Sequence, residues 1–280
     1  MTDTISEREP RVLDPLPTVW DPDSRVGDML RGLRGLVVGI ANANSIAYGC
    51  AVKLRAFGAE LAVTYLNEKA EPYVRPLADQ LGAALILPLD VEQPGQLEAV
   101  FHRIGERWGR LDFVVHSIAF APRADLHGRV VDCSLAGFQQ AMAVSCHSFI
   151  AMARLAEPLM TKGGTLLTMS YYGADKVVNH YNIMGPVKAA LQASTQYLAA
   201  ELGDKGIRVF AVSPGPLRTR AASGIRAFDE LVEAAAARAP ARRLVDIAEV
   251  GRVVSFLVGG AASGMTGDTI YVDAGLHIMA

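Results

Sequence analysis

Two phenols and an amine lie close together in the chain: Tyr171, Tyr181 and Lys188, within Ser170 to Ala190, S-Y-Y-G-A-D-K-V-V-N-H-Y-N-I-M-G-P-V-K-A-A. A phenol can donate to a developing oxyanion, and an ammonium lowers the cost of negative charge nearby. Tyr181 and Lys188 are seven residues apart. On a helix, at about 100° and 1.5 Å per residue, that spacing puts them on one face about two turns apart. There they can share a bound cofactor. The same spacing arises by chance on many helices, so the rest of the chain has to decide.

That rest alternates strand and helix. Apolar runs predict strands at Gly35 to Gly39, Glu60 to Tyr65, Ala84 to Pro88, Leu111 to Ser117, Thr165 to Ser170, Ile207 to Ser213 and Thr269 to Asp273. Helices are expected at Ile46 to Phe57, Lys69 to Leu81, Pro94 to Trp108, Leu135 to Met160, Tyr181 to Gly203 and Asp246 to Leu257. Strands that are apolar throughout, rather than alternating, indicate a parallel sheet covered on both faces. The expected fold is α/β: one Rossmann-like doubly wound domain with about seven parallel strands and helices on both faces. It should span residues 32–280, with a substrate lid near 217–238. Residues 1–31 stand apart. Pro10, Pro15, Pro17 and Pro22 are spread among charged residues with Trp20 as the one large anchor. They read as an extended or disordered arm, or as an arm packed on a neighbouring subunit.

The formal net charge of −2 gives no bulk attraction to nucleic acid or membrane. The three cysteines, Cys50, Cys133 and Cys146, fit no zinc or redox spacing and read as small buried hydrophobes in a reducing compartment. No metal site is expected. No apolar run reaches the roughly 18 residues of a membrane span. The first residues are acidic and without an apolar core, so a cytoplasmic location is expected.

The first strand-to-helix turn is G-I-A-N-A-N-S-I-A-Y-G, Gly39 to Gly49. In a doubly wound sheet this turn cradles a dinucleotide pyrophosphate. Gly39 can make the tight turn; Ser45 is a candidate helix cap whose hydroxyl could also meet phosphate. Asp90 and Val91, after the third strand, either hold an adenine or simply cap the next helix. His116 reads as a satisfied core histidine. Ser117 to Ala119 fall at the carboxyl edge of the sheet, where ligands bind. The sixth strand ends S-P-G-P-L-R-T, Ser213 to Thr219, a rigid turn able to present backbone groups to a carboxamide. Gly224, in the A-A-S-G-I-R-A-F that follows, suits a hinge.

Together these motifs resemble the short-chain dehydrogenase/reductase superfamily, and more closely its divergent branch of enoyl-acyl-carrier-protein reductases, over about residues 32–280. The common branch spaces its tyrosine and lysine Y-x3-K; here the position four before Lys188 is Met184, which cannot donate a proton. The resemblance implies NADH-dependent reduction of trans-2-enoyl thioesters, on acyl carrier protein or coenzyme A, within fatty acid elongation. NADPH is less expected, since neither the turn Asn42 to Ser45 nor Leu66-Asn67 supplies a cation for a 2′-phosphate.

By the same resemblance, Tyr181 bonds the thioester oxygen, Lys188 holds the nicotinamide ribose, and Tyr171 lines the acyl site. Gly39, Ala41, Ser45, Ile46, Asp90, Val91, Ser117, Ile118, Ala119, Gly215, Leu217 and Thr219 fall at cofactor positions. Ala121, Met184, Ala221, Ile225 and Phe228 fall at substrate positions. A homotetramer is implied. The chain departs from the branch at Ala119 for a usual Gly, Asn179 for a usual Pro, and Leu66 for a polar ribose partner. Asp229 and Glu230 follow Arg226 where basic residues are usual. Two other readings are a paralogue reducing a different enone or enoyl thioester, and a non-catalytic NAD(H)-binding sensor.

Overall fold

The computed structural model describes residues 28–219 and 228–279, with the backbone alone at 228–230. Seven parallel strands form one sheet in the order β3-β2-β1-β4-β5-β6-β7. They are β1 (Arg34–Val38), β2 (Glu60–Tyr65), β3 (Leu85–Pro88), β4 (Phe113–His116), β5 (Gly164–Met169), β6 (Ile207–Pro214) and β7 (Thr269–Val272). The doubly wound reading stands. The order reverses between β1 and β4, which pair in register from Gly35 with Phe113 to Val38 with His116. Connections leave that seam in opposite directions, so a crevice opens at its carboxyl end.

Central strands are buried throughout, as in β4 and most of β1, because helices cover both faces. On one face lie α1 (Ile46–Ala56), α2 (Glu71–Gln80) and α9 (Ile247–Val258). On the other lie α3 (Gln96–Trp108), α6 (Ser148–Ala156) and α7 (Met184–Leu202). Helices α1 and α9 meet backbone to backbone: a Cβ on Gly49 would sit 2.5 Å from Ile247 O, and one on Gly251 2.4 Å from Gly49 O. Helix α9 starts with a full capping box between Asp246 and Glu249. The packed core already includes Leu30, which is fully buried and donates its N–H to Phe57 O, so packing begins just inside the expected arm.

Two helical expectations need correction. The stretch expected as one helix from Leu135 to Met160 is α5 (Leu135–Met142), a π-turn (Ala143–His147), α6, and a short 3-10 turn ending at Leu159. Buried hydroxyls hold the π-turn: Ser148 Oγ donates to Val144 O, and Ser145 Oγ to Phe120 O. The second correction concerns the catalytic candidates. Helix α7 begins at Met184, not Tyr181. His180 and Asn182 flank Tyr181 with φ of 64° and 48°, a left-handed backbone that no α-helix contains. Tyr181 therefore precedes the helix that carries Lys188, and the shared-face geometry does not apply.

Candidate active site

The carboxyl ends of β1, β4, β5 and β6 surround one cavity of about 650 Å³. It gathers Tyr171, Tyr181, Met184 and Lys188 with Gly39, Ala41, Ser45, Ile46, Ser117, Ile118, Ala119, Ala121, Gly215, Leu217 and Thr219. Residues expected from five separate segments thus share one wall.

Gly39 is required where it stands. Its φ is 110°, and a Cβ there would lie 2.1 Å from Ser117 O. This close approach keeps β1 and β4 together at the crevice floor. Ser45 holds the N-cap position of α1 but does not cap it with its side chain. Its hydroxyl instead accepts from Ala41 N and Asn42 N, both at 3.0 Å. Bonding back along its own turn, it fixes the loop leading from Gly39 into the helix.

Lys188 is nearly inaccessible, and its Nζ donates to Met169 O at 2.6 Å. Burial pulls its pKa down to about 8, because an ammonium with one carbonyl partner is poorly solvated. Burial pushes the Tyr181 phenol up from its ordinary value, so it stays protonated. The Tyr181 ring tilts against Tyr171 with centroids 4.9 Å apart. Gly173 leaves room for it: a Cβ there would come within 2.6 Å of that ring. Asn182 clamps the turn by donating from Nδ2 to Leu126 O. Tyr171, extended just past β5, carries a buried hydroxyl with no hydrogen-bond partner. Burial is the main cause that raises its pKa, and the neighbouring phenols add to it.

His116 is the satisfied core histidine expected. Since Ser148 Oγ donates to Val144 O, it accepts from His116 Nε2–H at 2.8 Å. Nδ1 then accepts from Thr168 Oγ1, also at 2.8 Å. Burial lowers its pKa to about 3, which keeps it neutral and outside the chemistry.

Residues 39–277 match the family model described as enoyl-(acyl carrier protein) reductase. The chain belongs to the enoyl-(acyl carrier protein) reductase family. It is 44% identical over 254 residues to the enoyl-(acyl-carrier-protein) reductase (NADH) 1 of Rhizobium meliloti strain 1021, covering 91% of this chain and 93% of the relative. It superposes with a TM-score of 0.88 on the solved reductase of Anaplasma phagocytophilum in complex with NAD, at 46% identity, covering 91% of this chain and 98% of that one. The Bacillus cereus reductase with NADP+ and an indole naphthyridinone gives the same score at 45% identity, over 90% of this chain and 99% of that one.

The residues present fit the dinucleotide that such a reductase uses. Ser45 fixes the turn that leaves Gly39, α1 starts at the cavity wall, and the buried hydroxyl of Tyr171 in that wall lacks a partner. Asp90 and Val91 fall outside the cavity wall. Asp90 Oδ1 accepts from Glu92 N at 3.0 Å, so the carboxylate caps its own turn. Ala221 and Ile225 lie outside the described residues, as do the Phe228 side chain and the Arg226 to Glu230 charge pattern; the backbone of α8 (Phe228–Arg238) starts there. Sequence reading missed Phe120, Arg123, Leu126, Met169, Ser170, Pro214 and Pro216 in the wall. Met169, Ser170 and Pro214 were findable as strand ends. Leu126 was not, because Asn182 brings it in across 56 residues of sequence.

Proposed function

We propose that this family member reduces the 2,3 double bond of trans-2-enoyl thioesters with NADH, in fatty acid elongation. The observation that carries the reading is the convergence of a protonated, buried Tyr181 and a buried Lys188 on one cavity with the Gly39 cradle. Met184 occupies the position from which the common branch donates a proton. Carbonyl reduction by that arrangement is therefore disfavoured.

When bound, the reduced nicotinamide supplies a hydride for the β-carbon of the enoyl group. Tyr181 donates a hydrogen bond to the thioester oxygen as it takes up negative charge. Its raised pKa keeps it a donor throughout. Lys188 would hold the nicotinamide ribose while its charge favours the developing enolate. The Gly39 turn and Ser45 to Ile46 would meet the pyrophosphate. Ser117 to Ala119, with Gly215, Leu217 and Thr219, would frame the nicotinamide, and Asp90 with Val91 would serve the adenine end beyond the cavity wall. Tyr171, Ala121 and Met184 line the acyl side, and Ala221, Ile225 and Phe228 are the further substrate contacts proposed for a lid near 217–238 of the single domain that runs from about residue 32.

Loss of NADH absorbance with crotonyl-coenzyme A and crotonyl-acyl carrier protein tests the reading. Turnover of neither would overturn it. Replacing NADH by NADPH should lower kcat/KM, since neither the turn Asn42 to Ser45 nor Leu66-Asn67 supplies a cation for a 2′-phosphate.

A cytoplasmic homotetramer is the proposed assembly. Among the described residues no helix is long and apolar enough to cross a membrane. Tyr197 is more than 70% exposed on α7, and its apolar surface suits a subunit contact. Sedimentation at a single chain mass would refute that state.

A further inference from the structure

The cavity wall is almost uncharged. Among the described residues no carboxylate lines it, and the two cations that do differ in kind. Lys188 is buried at the floor, whereas Arg123 stands exposed at the rim, on α4 (Arg123–His127). Its neighbours along the wall are Phe120, Ala121 and Leu126. Leu126 belongs to the cluster around Tyr181 and Met184, so this rim is the substrate side. Arg123 makes no ion pair or hydrogen bond with any described residue, and three acids on the segments that bear wall residues are engaged elsewhere. Asp125 is buried and accepts from Ser134 N at 2.6 Å, Asp132 pairs with Arg129, and Asp175 accepts from Tyr271 Oη. An uncompensated guanidinium at the mouth of an apolar cavity favours an anion that arrives with the ligand.

Acyl carrier protein and coenzyme A both present their acyl group on a phosphopantetheine arm: an apolar acyl end, a neutral linker, and a phosphate. We propose that Arg123 is a specificity-determining residue that pairs with the phosphate of this arm while the enoyl group lies at Tyr181. The proposal rests on the enoyl-thioester reading above. A forked guanidinium matches two phosphate oxygens, so lysine keeps the charge and loses the fork.

The test compares KM for crotonyl-pantetheine and crotonyl-4′-phosphopantetheine in wild type, Arg123→Gln and Arg123→Lys. Wild type should favour the phosphorylated arm by about fivefold, the upper range for an exposed ion pair. Added salt should erode that preference. In Arg123→Gln the ratio should fall close to one, and Arg123→Lys should keep part of it. Crotonyl-coenzyme A and crotonyl-acyl carrier protein should then lose affinity together, because they share the phosphate. An unchanged ratio in Arg123→Gln overturns the proposal. So does a loss confined to coenzyme A, which points to its extra phosphates, or to the carrier protein, which points to the protein surface. A wild type that reduces no crotonyl thioester defeats the reductase reading itself and this inference with it. A wild type that reduces all of them with no phosphate preference defeats Arg123 alone.

Discussion

Tyr181 and Lys188 differ in what burial does to them, and their variants should differ too. Tyr181→Phe removes one oxyanion donor, which typically lowers turnover about 10²- to 10³-fold. NADH affinity, measured by fluorescence titration, should hold. Lys188→Ala should weaken NADH binding as well as turnover, and equal losses of NADH affinity in both variants would remove this division of labour. The depressed pKa of Lys188, about 8, also sets a pH limit. Below it the ammonium is present; above it the amine loses its grip on a ribose hydroxyl. The KM for NADH should rise as pH passes about 8. The linked effect on stability has the opposite sign. Between that value and the ordinary 10.5, the unfolded chain holds a proton that the native site has released. The cofactor-free protein should therefore gain stability with rising pH across that window. A KM flat to pH 10 would contradict the assignment.

The turn that carries Tyr181 shows where periodicity stops being informative. The expected helix from Tyr181 merged two things, a turn and a helix that starts at Met184. Nothing apolar marks the junction. The signal is the run N-H-Y-N, because Asn and His tolerate the left-handed region better than most residues. The π-turn at Ala143–His147 was equally hidden, since it depends on Ser145 reaching Phe120 across 25 residues of sequence. By contrast, the strand ends and the Gly39 turn were legible, because they follow from apolar runs and local sterics. The turn around Tyr181 can be tested directly. Asn182→Ala loses the bond to Leu126 O and a residue suited to φ of 48°. Stability should fall by about 1–2 kcal/mol, measured by urea unfolding. Turnover should fall further than that loss explains, because Tyr181 is no longer held. A variant with wild-type kcat would show that the turn does not position the phenol.

For the whole molecule, alternation of buried strands with helices was enough to read the doubly wound sheet, since a parallel sheet leaves few other arrangements. How the layers close was not readable. Contact between α1 and α9 depends on two glycines 202 positions apart in the sequence, Gly49 and Gly251, which no local pattern links. A methyl at either position meets backbone rather than a flexible side chain. Gly251→Ala should cost about 1–3 kcal/mol and lower the Tm of the whole domain. Calorimetry would show one cooperative transition moved down. An unmoved Tm would mean that the helices can separate at no cost.

Cys133 is the exception among the three thiols. It is half-buried against the Tyr181 and Met184 cluster. Cys50 and Cys146 are buried, with Cys50 pushed up to about 12 and Cys146 also raised. A thiol must ionise to attack an electrophile, so maleimide should label the native protein once, at Cys133, with peptide mapping locating the adduct. The natural chain thus carries a single attachment point for a fluorophore beside its substrate wall. Arrival of an acyl chain there should be visible as a change in emission, without any engineered cysteine.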